Sequence, residues 1–164
     1  MFENTGIPTP RMIRAQFPKD KKILFRPKAI IECYQEIPCQ PCEQSCPFNA
    51  ITIGSDIYKR PHLDFAKCTG CGICIAACPG QAIMVAMIEN GKVYFKIPYE
   101  FDELPKVGEW WDALDREGKV ISRCKIEHVS RAREKTHHTS VITVSLEQPY
   151  LYQFITIKKP SLRR

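Results

Sequence analysis

Apolar residues along this 164-residue chain come in short segments, none approaching the ~18–20 that would span a membrane. Brief apolar runs, Ala50 to Ile53 and Ala82 to Met87, each follow a Cys-Pro pair and predict short strands, the proline ending a helical turn and fixing the chain's exit. Further on, Val93 to Ile97, Trp110 to Leu114, Val120 to Val129, Val141 to Leu146 and Leu151 to Lys158 are rich in β-branched and aromatic residues. Turn formers such as Asp115-Arg116-Glu117-Gly118 separate them, so five strands are expected, closing into a small barrel or curled sheet. Before Ala29 the pattern differs. Phe2, Ile7, Met12, Ile13 and Phe17 are interrupted by Pro8, Pro10, Pro18 and Pro27 without a long period, which predicts an extended strap. A disordered tail usually carries fewer apolar side chains.

The expected class is therefore α+β in three parts: an extended strap over residues 1–28, a cysteine-rich module over 29–97 and a small all-β barrel over 98–164. Charge changes the picture only at the amino terminus. The net charge is +6, and the strap holds seven basic residues against Glu3 and Asp20. Five of the six net charges therefore lie in the strap and leave the rest of the chain close to neutral, which weakens a nucleic-acid reading.

Seven of the nine cysteines fall in two runs, Cys39-x2-Cys42-x3-Cys46-Pro47 and Cys68-x2-Cys71-x2-Cys74-x3-Cys78-Pro79. Both have ligand spacing for iron–sulfur clusters, and the second run is complete: three closely spaced thiolates hold one cluster while the cysteine of its Cys-Pro reaches the cluster of the other run. A zinc ribbon instead needs two C-x2-C knuckles about 15–20 residues apart. A disulfide framework is poorly matched by an odd cysteine count and the lack of a signal peptide, so a reducing, cytoplasmic setting is expected.

At an offset of 32, Cys39, Cys42, Cys46, Pro47, Ala50, Ile51 and Ile53 fall on Cys71, Cys74, Cys78, Pro79, Ala82, Ile83 and Val85. Only Cys68 lacks a counterpart, falling on Glu36. The nearest upstream cysteine, Cys33, ends an apolar stretch much as residues 63–67 lead into Cys68, and a loop can absorb the three extra residues before Cys39. Cluster 1 is then Cys33, Cys39, Cys42 and Cys78, and cluster 2 is Cys46, Cys68, Cys71 and Cys74. Two alternatives stay open: Cys33 as a buried structural thiol, or a three-iron first site, giving one [3Fe–4S] plus one [4Fe–4S] in place of two [4Fe–4S] clusters. Glu36 is the weaker ligand, since thiolates suit these clusters better than oxygen. Gly70 and Gly72 would let the backbone approach cluster 2, whereas Pro41 removes an N–H beside cluster 1.

On these motifs the region from Ala29 to Ile97 resembles the bacterial-type ferredoxins with two four-iron clusters. That resemblance implies cluster loops and helical turns packed on small antiparallel β-ribbons. The run Pro105-Lys106-Val107-Gly108-Glu109 before an apolar strand looks like the start of small SH3-like barrels. The opening Met1 to Pro10, the segment Ile30 to Cys39 and the tail from Tyr99 to Gly118 are together similar to small iron–sulfur subunits that accompany FAD-dependent amino-acid or amine dehydrogenases, such as dye-linked proline and hydroxyproline dehydrogenases. This implies a non-catalytic electron-transfer subunit in a hetero-oligomer with flavoprotein subunits, alone or with further iron–sulfur subunits. A free-standing ferredoxin, and a scaffold or nucleic-acid-binding protein with structural clusters, are the alternatives.

Trp110 and Trp111 are neighbours in a predicted strand, so they face opposite sides; one fills the core and the other is a candidate interface anchor or packs under a loop. Cys124, between Arg123 and Lys125, fits a buried thiol, and His137 and His138 fit a solvated loop rather than a metal site. No dinucleotide fingerprint or nucleophile triad is present in the sequence.

Overall fold

The strand-forming segments assemble, in the computed structural model, into one seven-stranded sheet; the structure describes residues 2–133 and 138–161. Its strands are β1 (Lys28–Ile31), β4 (Ile83–Glu89), β5 (Lys92–Tyr99), β6 (Trp110–Leu114), β7 (Val120–Ser130), β8 (Ser140–Glu147) and β9 (Thr156–Lys158), in the order β1-β4-β5-β8-β7-β6-β9. A two-stranded ribbon, β2 (Ile51–Thr52) with β3 (His62–Leu63), completes the strands.

The expected barrel over 98–164 does not form among the described residues: the sheet stays open, with β1 and β9 at its edges. The physical reason lies in β5. It crosses the expected boundary at 97/98 and pairs with β4 on one side and with β8 on the other, from Lys92↔Glu147 to Tyr99↔Ser140. The carboxy-terminal strands thus satisfy their backbone groups against a strand of the cysteine-rich module instead of by closure. The segment expected as a strand from Leu151 to Lys158 is a strand only over Thr156–Lys158; before it the chain turns, which places Leu151 and Phe154 in the core.

The strap is not extended throughout. It contains α1 (Phe2–Thr5), α2 (Pro10–Gln16) and a 3-10 turn (Lys21–Phe25). Thr9 caps α2 by accepting the Met12 N–H at 3.3 Å, and Pro10 occupies the first turn, where an N–H would have no intrahelical partner. Asp20 caps the 3-10 turn in the same way through the Lys22 N–H. The strap buries Ile13, Phe17 and Leu24 in the core that also holds Phe95, Trp111 and Phe154. Each such side chain is worth about 1.5–3 kcal/mol when fully buried.

The internal repeat is visible in the backbone. Helices α3 (Pro41–Ser45) and α4 (Ile73–Ala77) lie at the same offset of 32 as the sequence repeat. Exchange between the halves is reciprocal. β1 of the first half pairs with β4 of the second, and β3 of the second with β2 of the first, with Ile31↔Ile83 matched by Ile51↔Leu63. The bonds Glu32 N–H to Ala82 O, 2.7 Å, and Asp64 N–H to Ala50 O, 2.8 Å, extend the same symmetry. Among the described residues no helix is long and apolar enough to cross a membrane.

Candidate metal centres

Each half-repeat ends in a turn built around its Cys-Pro. Cys46 and Cys78 terminate α3 and α4 at φ/ψ of −77/108° and −76/113°. Three residues on, Asn49 and Gln81 adopt the left-handed conformation, φ 49° and 52°, and donate to the Cys46 and Cys78 carbonyls. The chain then swings back so that Ala50 N–H and Ala82 N–H point at the Cys46 and Cys78 sulfurs, both at 3.4 Å. Backbone N–H groups aimed at sulfur are a feature that adjusts the potential of a bound cluster.

The eight cysteines singled out from the sequence fall into two groups of four. Cys33, Cys39, Cys42 and Cys78 line one cavity, walled by Ile31, Ile53 and Ile83. Cys46, Cys68, Cys71 and Cys74 line the second, walled by Ala29, Phe48, Ile51, Leu63 and Ile73. Within each group three cysteines come from one run or its approach and the fourth from the other Cys-Pro. Among the described residues no three Cys, His, Asp or Glu side chains are placed to hold a single metal ion; the sulfurs surround a space instead. All nine cysteines are free thiols.

Burial sets the electrostatics. It pushes the Cys42 thiol up to about 11 and Cys74 up to about 12, with the neighbouring thiolates adding to the effect. Cys33 is also raised, first by burial and then by Cys78 and Cys39. Four mutually repelling thiolates among apolar walls are stable only with a cationic core between them, so this donor set fits an iron–sulfur cluster.

Two lysines flank the second cavity. Lys28 Nζ donates to the Cys68 carbonyl at 2.5 Å and Lys96 Nζ to the Gly70 carbonyl at 3.3 Å, while Ala29 N–H points at Cys68 Sγ, 3.3 Å away. Gly70, at φ +68°, lies so close to Pro27 that a Cβ there would stand 2.5 Å from the Pro27 carbonyl carbon. Gly72 precedes α4 at φ +86°, also left-handed. Pro41 sits in the first turn of α3, where its missing N–H costs nothing. Beside the first cavity, Glu43 accepts from Ile53 N–H (2.8 Å) and Gly54 N–H (3.2 Å), holding α3 to β2. Glu36 is exposed and paired with Lys59 at 3.7 Å.

Sequence reasoning missed Lys28, Lys96, Glu43 and a buried pair next to Cys33. Glu32 accepts from Arg116 Nε at 2.8 Å and from the Tyr34 hydroxyl at 3.0 Å, and Arg116 Nη1 donates to the Tyr152 and Gln153 carbonyls, each at 2.9 Å. No local pattern announces the contacts of Lys28, Lys96 and Arg116, because their partners lie 40, 26 and 84 positions away. Cys124 is buried in the sheet, pushed up to about 12 by desolvation, with its thiol 3.6 Å from the Trp111 carbonyl. Trp111 is the inward tryptophan, donating from Nε1 to Glu109, and Trp110 is 53% exposed. His138 is exposed, and His137 lies outside the described residues.

Comparison with known proteins agrees with this geometry. Residues 32–82 match the family model described as a 4Fe-4S dicluster domain. Ferredoxin-3 of Chlorobaculum tepidum is 43% identical over 54 residues, which cover 29% of this chain and 82% of that ferredoxin. The chain belongs to the ferredoxin family. It is an iron–sulfur electron-transfer protein with [4Fe–4S] chemistry. A component of the Na(+)-translocating ferredoxin:NAD(+) oxidoreductase complex of Acetobacterium woodii is 44% identical over 62 residues, 38% of this chain but only 17% of that component. A component of the NADH-quinone oxidoreductase of Symbiobacterium thermophilum is 27% identical over 100 residues, 55% of this chain and 42% of that component. The likeness to members of these complexes is thus confined to a part of each. No solved structure matches the chain.

Proposed function

We propose that this ferredoxin-type protein relays single electrons through two [4Fe–4S] clusters, cluster 1 on Cys33, Cys39, Cys42 and Cys78 and cluster 2 on Cys46, Cys68, Cys71 and Cys74. The observation that carries this reading is the division of the eight cysteines between two apolar cavities, four to each. When bound, each cluster supplies a one-electron redox couple. The protein's own part is to hold the sulfurs, aim N–H groups at them and keep the two centres in one rigid unit.

The relay works as a non-catalytic subunit of a flavin-dependent amino-acid or amine dehydrogenase complex. Support for that context is the likeness of Met1 to Pro10, Ile30 to Cys39 and Tyr99 to Gly118 to such subunits, together with a folded extension that a freely diffusing carrier would not require. Similar segments occur in the Acetobacterium and Symbiobacterium oxidoreductase complexes, which supports a hetero-oligomer. Anaerobic purification from the native host tests both levels. About eight irons and eight sulfides, with reduced four-iron signals in low-temperature EPR, are expected. A co-eluting flavoprotein is expected as well, and a redox-active monomer eluting alone would leave only the ferredoxin.

A further inference from the structure

Cluster 2's cavity adjoins a surface of a different character. The 3-10 turn (Lys21–Phe25) and the start of β1 enclose, with the approach to Cys68, an open hollow of about 370 Å3 lined by Lys22, Ile23, Phe25, Arg26, Lys28 and Phe65. The lining carries three positive charges and no carboxylate. Phe25 is 61% exposed at its edge, and Ile23 is exposed as well. Among the described residues neither Lys22 nor Arg26 has an acidic partner within ion-pair distance. Of the carboxylates next in sequence to the lining segments, Asp20 accepts from Lys22 N–H, and Asp64 accepts from Ala66 N–H and pairs with Lys67. A single side chain joins this hollow to the cysteines, since Lys28 lines it and also donates to the Cys68 carbonyl.

We propose that this hollow is the docking port of an acidic redox protein that exchanges electrons with cluster 2. The inference rests on the two-cluster relay above. An exposed phenylalanine in a hollow shared with two cations that lack an ion-pair partner among the described residues suits a partner with an apolar patch inside an acidic rim: the apolar contact holds the complex and the charges steer its formation. Eight thiolates and two oxidised cluster cores would bring the chain's +6 to about +2, and reduction of both cores to about zero, so overall charge would contribute little to steering and the local patch would set it. Among the described residues the lining of the first cavity holds a single cationic side chain, Lys59. Glu36 and Lys59 pair with each other there.

The test uses full-length, cluster-loaded protein reduced by dithionite and mixed anaerobically with flavodoxin, an acidic one-electron protein acceptor. One electron passes from the reduced protein to the flavin of flavodoxin, which takes up one proton from solvent. The expected second-order rate falls steeply with added salt. The double variant Lys22→Glu with Arg26→Glu reacts at least about tenfold more slowly at low salt and loses that salt dependence. Phe25→Ala slows the reaction with the salt dependence retained, and Trp110→Ala leaves it unchanged. Iron content and EPR signals stay at wild-type values in all three.

Wild-type kinetics in a double variant that keeps its iron would overturn the port while leaving the relay intact. Absence of iron and of any redox signal from the wild-type chain would remove the relay and the port together. Self-association in sedimentation, or binding to DNA or to anionic vesicles, that the double variant abolishes without any change in the flavodoxin rate would overturn the proposal and reassign the surface.

Discussion

Glu32 and Arg116, 84 positions apart, form an ion pair whose side chains are only 6% and 8% exposed. The pair ties the residue before Cys33 to the turn between β6 and β7, and the same guanidinium holds the Tyr152 and Gln153 carbonyls. Removing one member leaves the other a buried charge without its counterion, held only by neutral hydrogen-bond partners. Glu32→Gln or Arg116→Ala should therefore destabilise the loaded protein by about 3–5 kcal/mol, read from its urea midpoint. The double substitution should cost less than the two single ones together, because the interaction is shared. Cluster 1, next to Glu32, should be lost before cluster 2, and loss of both centres at one rate would count against that order.

Cys33 and Glu36 compete for the position that Cys68 occupies in the second half. Cys33 lines the cavity, whereas Glu36 is turned outward to Lys59. Cys33→Ala should remove or convert cluster 1, lowering iron toward about seven or four per chain, while Glu36→Ala keeps about eight. Iron analysis with EPR distinguishes the two, and the reverse pattern would transfer the ligand role to Glu36.

In the proposed relay the ammonium groups of Lys28 and Lys96, bonded to the Cys68 and Gly70 carbonyls, would favour the extra electron on cluster 2. Replacing either by Met should lower the potential of cluster 2 and leave that of cluster 1 in place. An EPR-monitored redox titration measures this directly. An upward shift, or equal movement of both centres, would rule out the local electrostatic cause.

Gly70 meets two separate obstacles to a side chain, a positive φ and the Pro27 backbone. Gly70→Ala should therefore impair the loading of cluster 2 far more than Gly80→Ala, where a Cβ meets nothing within 4 Å and φ is not left-handed. Reconstitution of the two variants side by side, followed by iron analysis, checks the contrast.

The two tryptophans separate packing from surface. Trp111→Ala removes a buried ring and its bond to Glu109 and should cost about 3–5 kcal/mol in stability. Trp110→Ala should leave the unfolding midpoint close to wild type, and calorimetry of both variants would show whether the inward and outward roles are as assigned.

The cluster half was legible because its information is local. Thiol spacing and the offset of 32 are written in the sequence, and the structure repeats them down to Asn49 and Gln81 at matching left-handed turns. The carboxy-terminal architecture was less so. Five strand-like segments say nothing about which edge β8 will choose, and its pairing with β5 is a long-range choice that local propensity does not encode. In the strap, Thr9 and Pro10 were the signals of a helix start, but four prolines in 28 residues read more readily as breaks. The reach of Arg116 to Glu32 had no sequence signal at all.

A sheet that runs without interruption from β1 to β9 has no joint at which the cysteine-rich part could swing against the rest. Any body seated on the far strands therefore stands at a fixed separation from both cysteine-lined cavities. Electron tunnelling falls off steeply with that separation, so the sheet acts as a ruler: its width, rather than diffusion or a tethered swing, would set the rate at which a fixed partner exchanges electrons with this protein.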